Sequence, residues 1–484
     1  MKILLSMLFI IIAVVALILI IIINTLNASG LAGREEYKPE PADPSAVERL
    51  AGAVRLATVS HYDKSKDDLN AHRQFQAYLT ECFPLFHKVA ERTVLSEYAV
   101  IYCWHGKNES LPPVLLTAHY DVVPADASKW SRPPFAAVSE DGYLWGRGTL
   151  DTKNTLMSSL EAAESLCRDG FQPERTVYFA FGGDEEITGS HGALKSMEWF
   201  QEQGINFEWM WDEGAITADG LMPGIRGKLS LIGTAEKGQV NVLLKAVSEN
   251  GGHAAMPPKL TPTGRIARAV ARIEAKPFRL RWLKTTRLFF KRMAAAGIPV
   301  YRVAMSNLWL TGGLLKLVLG GSPNTAALLR TTMAPTMIRG SHKENVLADE
   351  AEAVVNVRIL PGDSVEGVLH RIKKVVADEK VSVGLISADD ADEPVFESSI
   401  KAEGYQLLEQ MLKETISDTI VLPYLATTAS DSRHYAPVCR DIYRYAPMIL
   451  NQEELDRIHG VDERISFENY GLSIRSYLCL MKKL

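Results

Sequence analysis

Four short segments and one isolated histidine carry the residues able to bind a cation or move a proton. His119-Tyr120-Asp121 follows the apolar run Val114-Leu115-Leu116-Thr117. Residues i and i+2 of a strand share a face, so imidazole and carboxylate can enter one pocket, and a metal-bound imidazole commonly needs a carboxylate behind its second nitrogen. Asp151 comes at the end of Leu144-Trp145-Gly146-Arg147-Gly148-Thr149-Leu150-Asp151, just ahead of a helical pattern. It stands equally where an N-cap carboxylate would. Gly183-Asp184-Glu185-Glu186 ends the next strand-like run. Adjacent carboxylates at a strand end are often a solvated turn; they do chemistry when one holds a cation and its neighbour stays free as a base. Trp211-Asp212-Glu213-Gly214 ends a further apolar run. His459, near the C-terminus, reads on its own as a surface histidine.

Such segments need a scaffold that brings strand ends together. Residues 114–117 and 176–181 read as strands and 155–167 as a helix, with Leu156, Met157, Leu160 and Ala163 on one side. This is the rhythm of an α/β layer with a mostly parallel sheet flanked by helices, which places its chemistry beyond the carboxyl ends of the strands. After about residue 238 the pattern changes. Strands are expected at 239–247 and 351–358 and helices at 263–273 and 365–376, which suits a small inserted α+β unit. Within it, residues 279–292 mix Trp282, Leu283, Leu288 and Phe289 with six Lys and Arg, as an amphipathic surface helix would, or one touching a membrane or an acyl chain.

The bulk properties narrow the class. A net charge of −5 over 484 residues leaves no basic surplus for a phosphate backbone, so nucleic acid is excluded as a partner. The five cysteines include no C-x-x-C pair, so a metal would sit on His and carboxylate. Residues 3–23 form an uncharged run long enough to cross a bilayer and longer than an ordinary signal-peptide core. A retained single-pass anchor is expected, with cleavage near Ala28-Ser29-Gly30 as the alternative that would release a secreted form. Lys2 is the one charge before the run and Arg34, Glu35 and Glu36 follow it, and the positive-inside rule then puts the remainder outside the cytoplasm. Residues 35–44, rich in charge and proline, read as a stalk.

Taken together, AHYDVVPAD, LWGRGTLDTK, GGDEEITGSHGA and SDSRHY resemble the zinc peptidase family of carboxypeptidase S, aminoacylase, succinyl-diaminopimelate desuccinylase and the glutamate-releasing carboxypeptidases. The likeness runs from about Pro44 to Leu484 and is greatest to the branch of carboxypeptidase S and the N-fatty-acyl-amino-acid synthase/hydrolase. It implies two Zn²⁺, with Co²⁺ or Mn²⁺ able to substitute. His119 and Asp212 would bind one ion, Glu186 and His459 the other, and Asp151 both. Some members carry Glu where this chain has Asp212. Asp121 would sit behind His119, and Glu185 would be the general base. His253 would be a lid histidine steadying an oxyanion, with Asn345 and Arg358 holding the substrate, an Arg fork suiting a carboxylate.

The implied reaction is hydrolysis of an amide beside a free carboxylate, releasing an amino acid from peptides or N-acyl amino acids. A catalytically silent ectodomain and a deacylase of a biosynthetic intermediate are the rival readings. The expected division is an anchor (1–25), a stalk (26–44), a catalytic domain (45–238 with 389–484) and an inserted unit (239–388), which the resemblance implies is a lid through which a homodimer would form.

Overall fold

The computed structural model describes residues 2–27, 35–221, 223–248, 252–387 and 391–484. The cleavage point at Ala28-Ser29-Gly30, the first part of the stalk, Gly251 and the 388/389 boundary lie outside them. Lys2–Asn27 is one continuous helix, the one among the described residues long and apolar enough to cross a membrane.

Apolar runs too short for helices and rich in β-branched and aromatic residues build a ten-stranded sheet. Its order is Glu91–Ser96, Ala99–Trp104, Val177–Gly182, Val114–His119, Met210–Asp212, Ile442–Arg444, Lys228–Glu236, Thr217–Asp219, Ile449–Leu450, with Thr419–Ala426 also pairing Lys228–Glu236. Val114–His119 is parallel to both its neighbours and fully buried, as a strand covered on two faces must be. Most of its pairings are parallel, as expected from sequence, with antiparallel ones mixed in. The two-residue turn between Glu91–Ser96 and Ala99–Trp104 forces antiparallel pairing at that edge, and Lys228–Glu236 runs against two of its neighbours.

Helices cover the sheet. Lys153–Arg168 is buried along nearly its whole length and packs against Phe467–Met481. A second sheet, wholly antiparallel, runs Thr332–Arg339, Glu350–Ile359, Gly238–Val247, Val381–Leu385. Its two long central strands alternate buried and half-exposed residues, and the helices Pro262–Ala275 and Val365–Val376 bury the apolar face around Val242, Val355, Ile266 and Ile372. Of the residues between Pro262–Ala275 and Thr332–Arg339, Phe278 packs on that core while the helices that follow it do not. The helix Lys284–Met293 lies on the strand Thr419–Ala426, burying Phe289, Phe290 and Met293 in the core of the large sheet. Its aromatic side is thus committed to the protein, and Lys284, Arg287 and Lys291 are what it exposes.

Trp211 ties the sheet to its helical cover one residue before the acidic pair at that strand's end. It is fully buried and stacked on Tyr477 at 4.3 Å, and its indole N–H donates to the Tyr445 carbonyl at 2.6 Å. Trp211→Ala is expected to lower unfolding free energy by about 3–5 kcal/mol through cavity and hydrogen-bond loss. Urea denaturation followed by fluorescence measures this; a loss under about 1 kcal/mol would mean the site collapses around the gap.

Candidate metal centre

The sheet ends bring the acidic segments to one point. His119 is the last residue of its strand and 1% exposed. Its Nε2 lies 3.1 Å from one oxygen of Asp151, 3.9 Å from Glu185 and 4.0 Å from Glu213. The other Asp151 oxygen lies 3.1 Å from His459 Nε2, which is 3.0 Å from Glu186. Asp151 therefore stands between two imidazoles. Among the described residues, two sets of donor atoms close to within 4.8 Å: His119, Asp151 and Glu213, and Asp151, Glu186 and His459.

The positions of these groups are over-determined. Asp121, wholly buried, lies behind His119, with Nδ1 3.1 Å from its carbonyl oxygen and 3.4 Å from its carboxylate. The same carboxylate accepts Ser60 Oγ at 2.6 Å and the backbone N–H groups of Glu185 and Glu186 at 3.1 and 3.2 Å. One side chain thus orients both the imidazole and the Glu185-Glu186 turn. Glu463 does the corresponding work for Asp151. Its carboxylate accepts the N–H groups of Gly148, Leu150 and Asp151 at 3.0, 2.7 and 3.3 Å, and Arg147 Nη1 at 2.6 Å. Arg147 Nη2 then donates to the carbonyls of His459 and Gly460 at 3.2 and 2.9 Å. The buried Arg147–Glu463 pair locks the loop of Asp151 to the loop of His459 across 312 residues of chain. Gly148, at φ +89°, supplies a left-handed turn in the first of these loops, where a Cβ would meet Val122 at 2.7 Å.

Charge is unbalanced here. Two imidazoles face the carboxylates of Asp121, Asp151, Glu185, Glu186 and Glu213. Burial raises the carboxyl of Glu186 to about 7, with the charge of Asp151 adding to it. Burial also raises Glu213, again with Asp151 adding, and Glu185, despite the opposing charge of His119. Burial works against the charge on Asp151 too, but His119 and His459 outweigh it and hold its carboxyl well below the ordinary range. Hydrogen bonds to Asp151 and Glu186 push His459 up to about 10. Without another cation the cluster gathers protons on both His and Glu. Divalent cations would displace those protons, and imidazole with carboxylate oxygen, free of thiolate, is a donor set that suits zinc.

One expected ligand is not brought to the cluster. The two carboxylate oxygens of Asp212 accept Thr117 Oγ1 at 2.7 Å and the Ser432 N–H at 3.0 Å. Asp212 is still in its strand, and its carboxylate is taken up by neighbouring segments; Glu213, just past the strand end, faces His119 instead. The sequence reading also passed over Ser60, Arg147 and Glu463. Arg147 lies inside the segment that ends at Asp151 and Glu463 four residues after His459, but no spacing rule links residues so far apart.

The expected substrate residues lie elsewhere. His253 and Asn345 meet at a small ribbon in which Gly252–His253 pairs with Val346–Leu347 and the Ala254 N–H donates to the Asn345 carbonyl at 3.1 Å. Neither belongs to the two donor sets. Arg358, on the second sheet opposite Gln239 and Thr332, is half-buried. Burial lowers its guanidinium, and the charges it senses are those of Arg433, Asp392 and Glu236. Arg433 belongs to the SDSRHY segment and pairs with Asp392 at 3.2 Å, so Arg358 stands where the second sheet meets the first unit.

Residues 115–483 match the model of peptidase family M20/M25/M40. The probable carboxypeptidase S-like 2 of Dictyostelium discoideum is 36% identical over 446 residues, spanning 91% of this chain and 85% of the relative. The N-fatty-acyl-amino acid synthase/hydrolase PM20D1.1 of Danio rerio is 38% identical over 434 residues, 89% of this chain and 84% of its own. Among solved structures, the metallo-carboxypeptidase Sso-CP2 of Sulfolobus solfataricus superposes with a TM-score of 0.67 at 18% identity, covering 91% of this chain and 99% of that one. The Bacillus subtilis YXEP protein, described as a dinuclear metal binding peptidase, gives 0.54 at 13%, covering 91% and 98%.

The geometry separates the two adjacent acids. Glu213→Gln is expected to weaken metal binding by about 10- to 100-fold or more, while Asp212→Asn, which keeps a polar group toward Thr117, costs less. Metal content after dialysis against a graded chelator reads the difference; the reverse order would return the ligand role to Asp212.

Proposed function

This chain belongs to peptidase family M20/M25/M40, whose members are metal-dependent and hydrolyse amide bonds, and we propose that it is a two-zinc enzyme releasing an amino acid with a free carboxylate from peptides or N-acyl amino acids. The observation that carries this reading is Asp151 placed between His119 and His459, with Glu213 completing one donor set and Glu186 the other. Co²⁺ or Mn²⁺ would fit the same donors. Zinc held there supplies positive charge that acidifies water and polarises a carbonyl.

The chain's own residues do the rest. Asp121 fixes the ring of His119 and, through two backbone N–H groups, the turn bearing Glu185 and Glu186. Glu185 belongs to neither donor set. Its carboxylate takes a proton from the attacking water and passes it to the leaving nitrogen, a role suited to a group that burial has made more basic. Arg358 receives the substrate carboxylate, its planar fork pairing both oxygens. His253 and Asn345 approach on the small ribbon of the 239–388 insertion, which acts as the lid and as the edge for a homodimer. The names of the relatives favour N-acyl amino acids alongside peptides. The Lys2–Asn27 helix is a retained span that leaves the enzyme outside the cytoplasm.

Glu185→Gln should lower kcat by at least about 10²- to 10⁴-fold, the usual size of a general-base contribution, with metal content unchanged. Full activity in that variant would remove Glu185 from the mechanism. For the substrate, a panel of peptides and N-acyl amino acids is compared with the same compounds capped as carboxamides. Cleavage of the free acids alone is expected, with Arg358→Ala raising KM by about 10- to 100-fold, as loss of a charge-assisted bidentate contact should. Equal turnover of acid and carboxamide would overturn carboxylate recognition.

A further inference from the structure

Residues 275–343 contain no Asp or Glu and twelve of the chain's 53 Lys and Arg, although the chain as a whole has a net charge of −5. Inside this segment two helices, Pro299–Ser306 and Leu308–Leu319, form a hairpin with Asn307 between them. One side of Leu308–Leu319 is docked. Leu308, Leu315 and Leu319 pack on the main core, and the Gly312 carbonyl accepts the Trp282 indole N–H at 3.1 Å. The opposite side is also apolar and faces outward, with Trp309 55%, Leu310 53%, Leu314 69%, Leu317 72% and Val318 64% exposed. The positions 310, 314 and 317 follow one helical face, so the exposure is a continuous stripe rather than scattered residues.

The hairpin is joined to the end of the membrane helix. Asn24 Nδ2 donates to Asn307 Oδ1 at 3.2 Å, and Asn307 Nδ2 lies 3.4 Å from Thr25 Oγ1. Asn24 and Thr25 are in the last turn of Lys2–Asn27, and Asn307 is itself buried, 1% exposed. The hairpin therefore sits at one end of the span, level with the bilayer surface. At 1.5 Å per residue, the twelve residues of Leu308–Leu319 reach about 18 Å against a hydrocarbon thickness of about 30 Å, too short to cross and suited to lying in the plane. On the neighbouring helix Lys284–Met293, Lys284, Arg287 and Lys291 form an exposed basic face of the kind that meets anionic headgroups.

We infer that the hairpin Pro299–Leu319 is a second membrane element, its Leu310, Leu314 and Leu317 stripe immersed in the lipid leaflet beside the anchor and its flanking basic residues on anionic headgroups. This rests on the Lys2–Asn27 helix being a retained span. The ligand is the bilayer itself, whose apolar depth matches the stripe and whose surface charge complements the acid-free segment.

The test uses the full chain in vesicles of phosphatidylcholine and phosphatidylglycerol, with p-benzoylphenylalanine replacing Leu314, Ile18 or Val94 in separate preparations that each retain wild-type turnover of a water-soluble substrate. Ile18 lies in the span and Val94 is an exposed position on the edge strand Glu91–Ser96. After irradiation, lipid adducts are expected at positions 314 and 18 and not at 94. Lipid capture at 18 with protein–protein adducts or none at 314 overturns the inference and leaves the anchor standing. No lipid capture at either position overturns both.

Discussion

The position of one carboxylate governs the site. Each oxygen of Asp151 faces a different imidazole at 3.1 Å, so a small rotation of its loop would part it from one or both. A carboxylate can bridge in this way only if its backbone is fixed independently, because a free loop loses conformational entropy each time it is ordered. The fixing is done by Glu463, which accepts three N–H groups of that loop, and by Arg147, which hands the restraint on to the carbonyls of His459 and Gly460. Both partners are buried, and a buried pair of this kind holds geometry more than it adds net stability.

Charge explains why such restraint is needed. Three glutamates whose carboxyls are all raised would separate if they were free to move, since burial denies them the screening of water. Asp121 restrains two of them through the backbone rather than the side chain, leaving the carboxylates of Glu185 and Glu186 available for separate tasks. Glu185 and Glu186 sit in a turn beyond the strand Val177–Gly182, and of the two Glu186 joins the His459 donor set while Glu185 stays outside both. Preorganisation of this sort keeps the donors in place before any cation arrives.

Much of this was legible in the sequence, and the failures have physical causes. Val114–His119 and Val177–Gly182 could be read because buried central strands are short, apolar and ended by glycine or polar residues. The carboxylates at their ends could be read for the same reason. His459 could not, since its partners Glu186 and Asp151 lie some 270 to 310 positions away and only resemblance connected them. Asp212 and Glu213 exposed a sharper limit. Both are acids at the end of one apolar run, and which faces the pocket depends on whether the strand continues through 212 or stops before it. It continues, Thr117 and Ser432 claim Asp212, and Glu213 takes the place beside His119. The sheet's antiparallel pairings escaped for a related reason: apolar runs report burial, not strand direction.

The basic, apolar stretch between the elements of the second sheet shows how composition and position diverge. Read as a pattern, residues 279–292 suited either a surface helix or a lipid contact. The fold assigns their aromatic side to the core, through Phe289 and Phe290, and leaves an outward apolar face instead on Leu308–Leu319. Keeping a Leu or Val side chain in water rather than in an apolar phase costs about 1.5–3 kcal/mol, so a stripe of several is a standing cost of a few kcal/mol even when each is only partly exposed. A chain that buries its other large apolar faces so thoroughly around the big sheet has no packing reason to carry that cost. The span proposed for Lys2–Asn27 would supply the reason: its end is hydrogen-bonded through Asn24 to Asn307, which would bring the stripe to the bilayer.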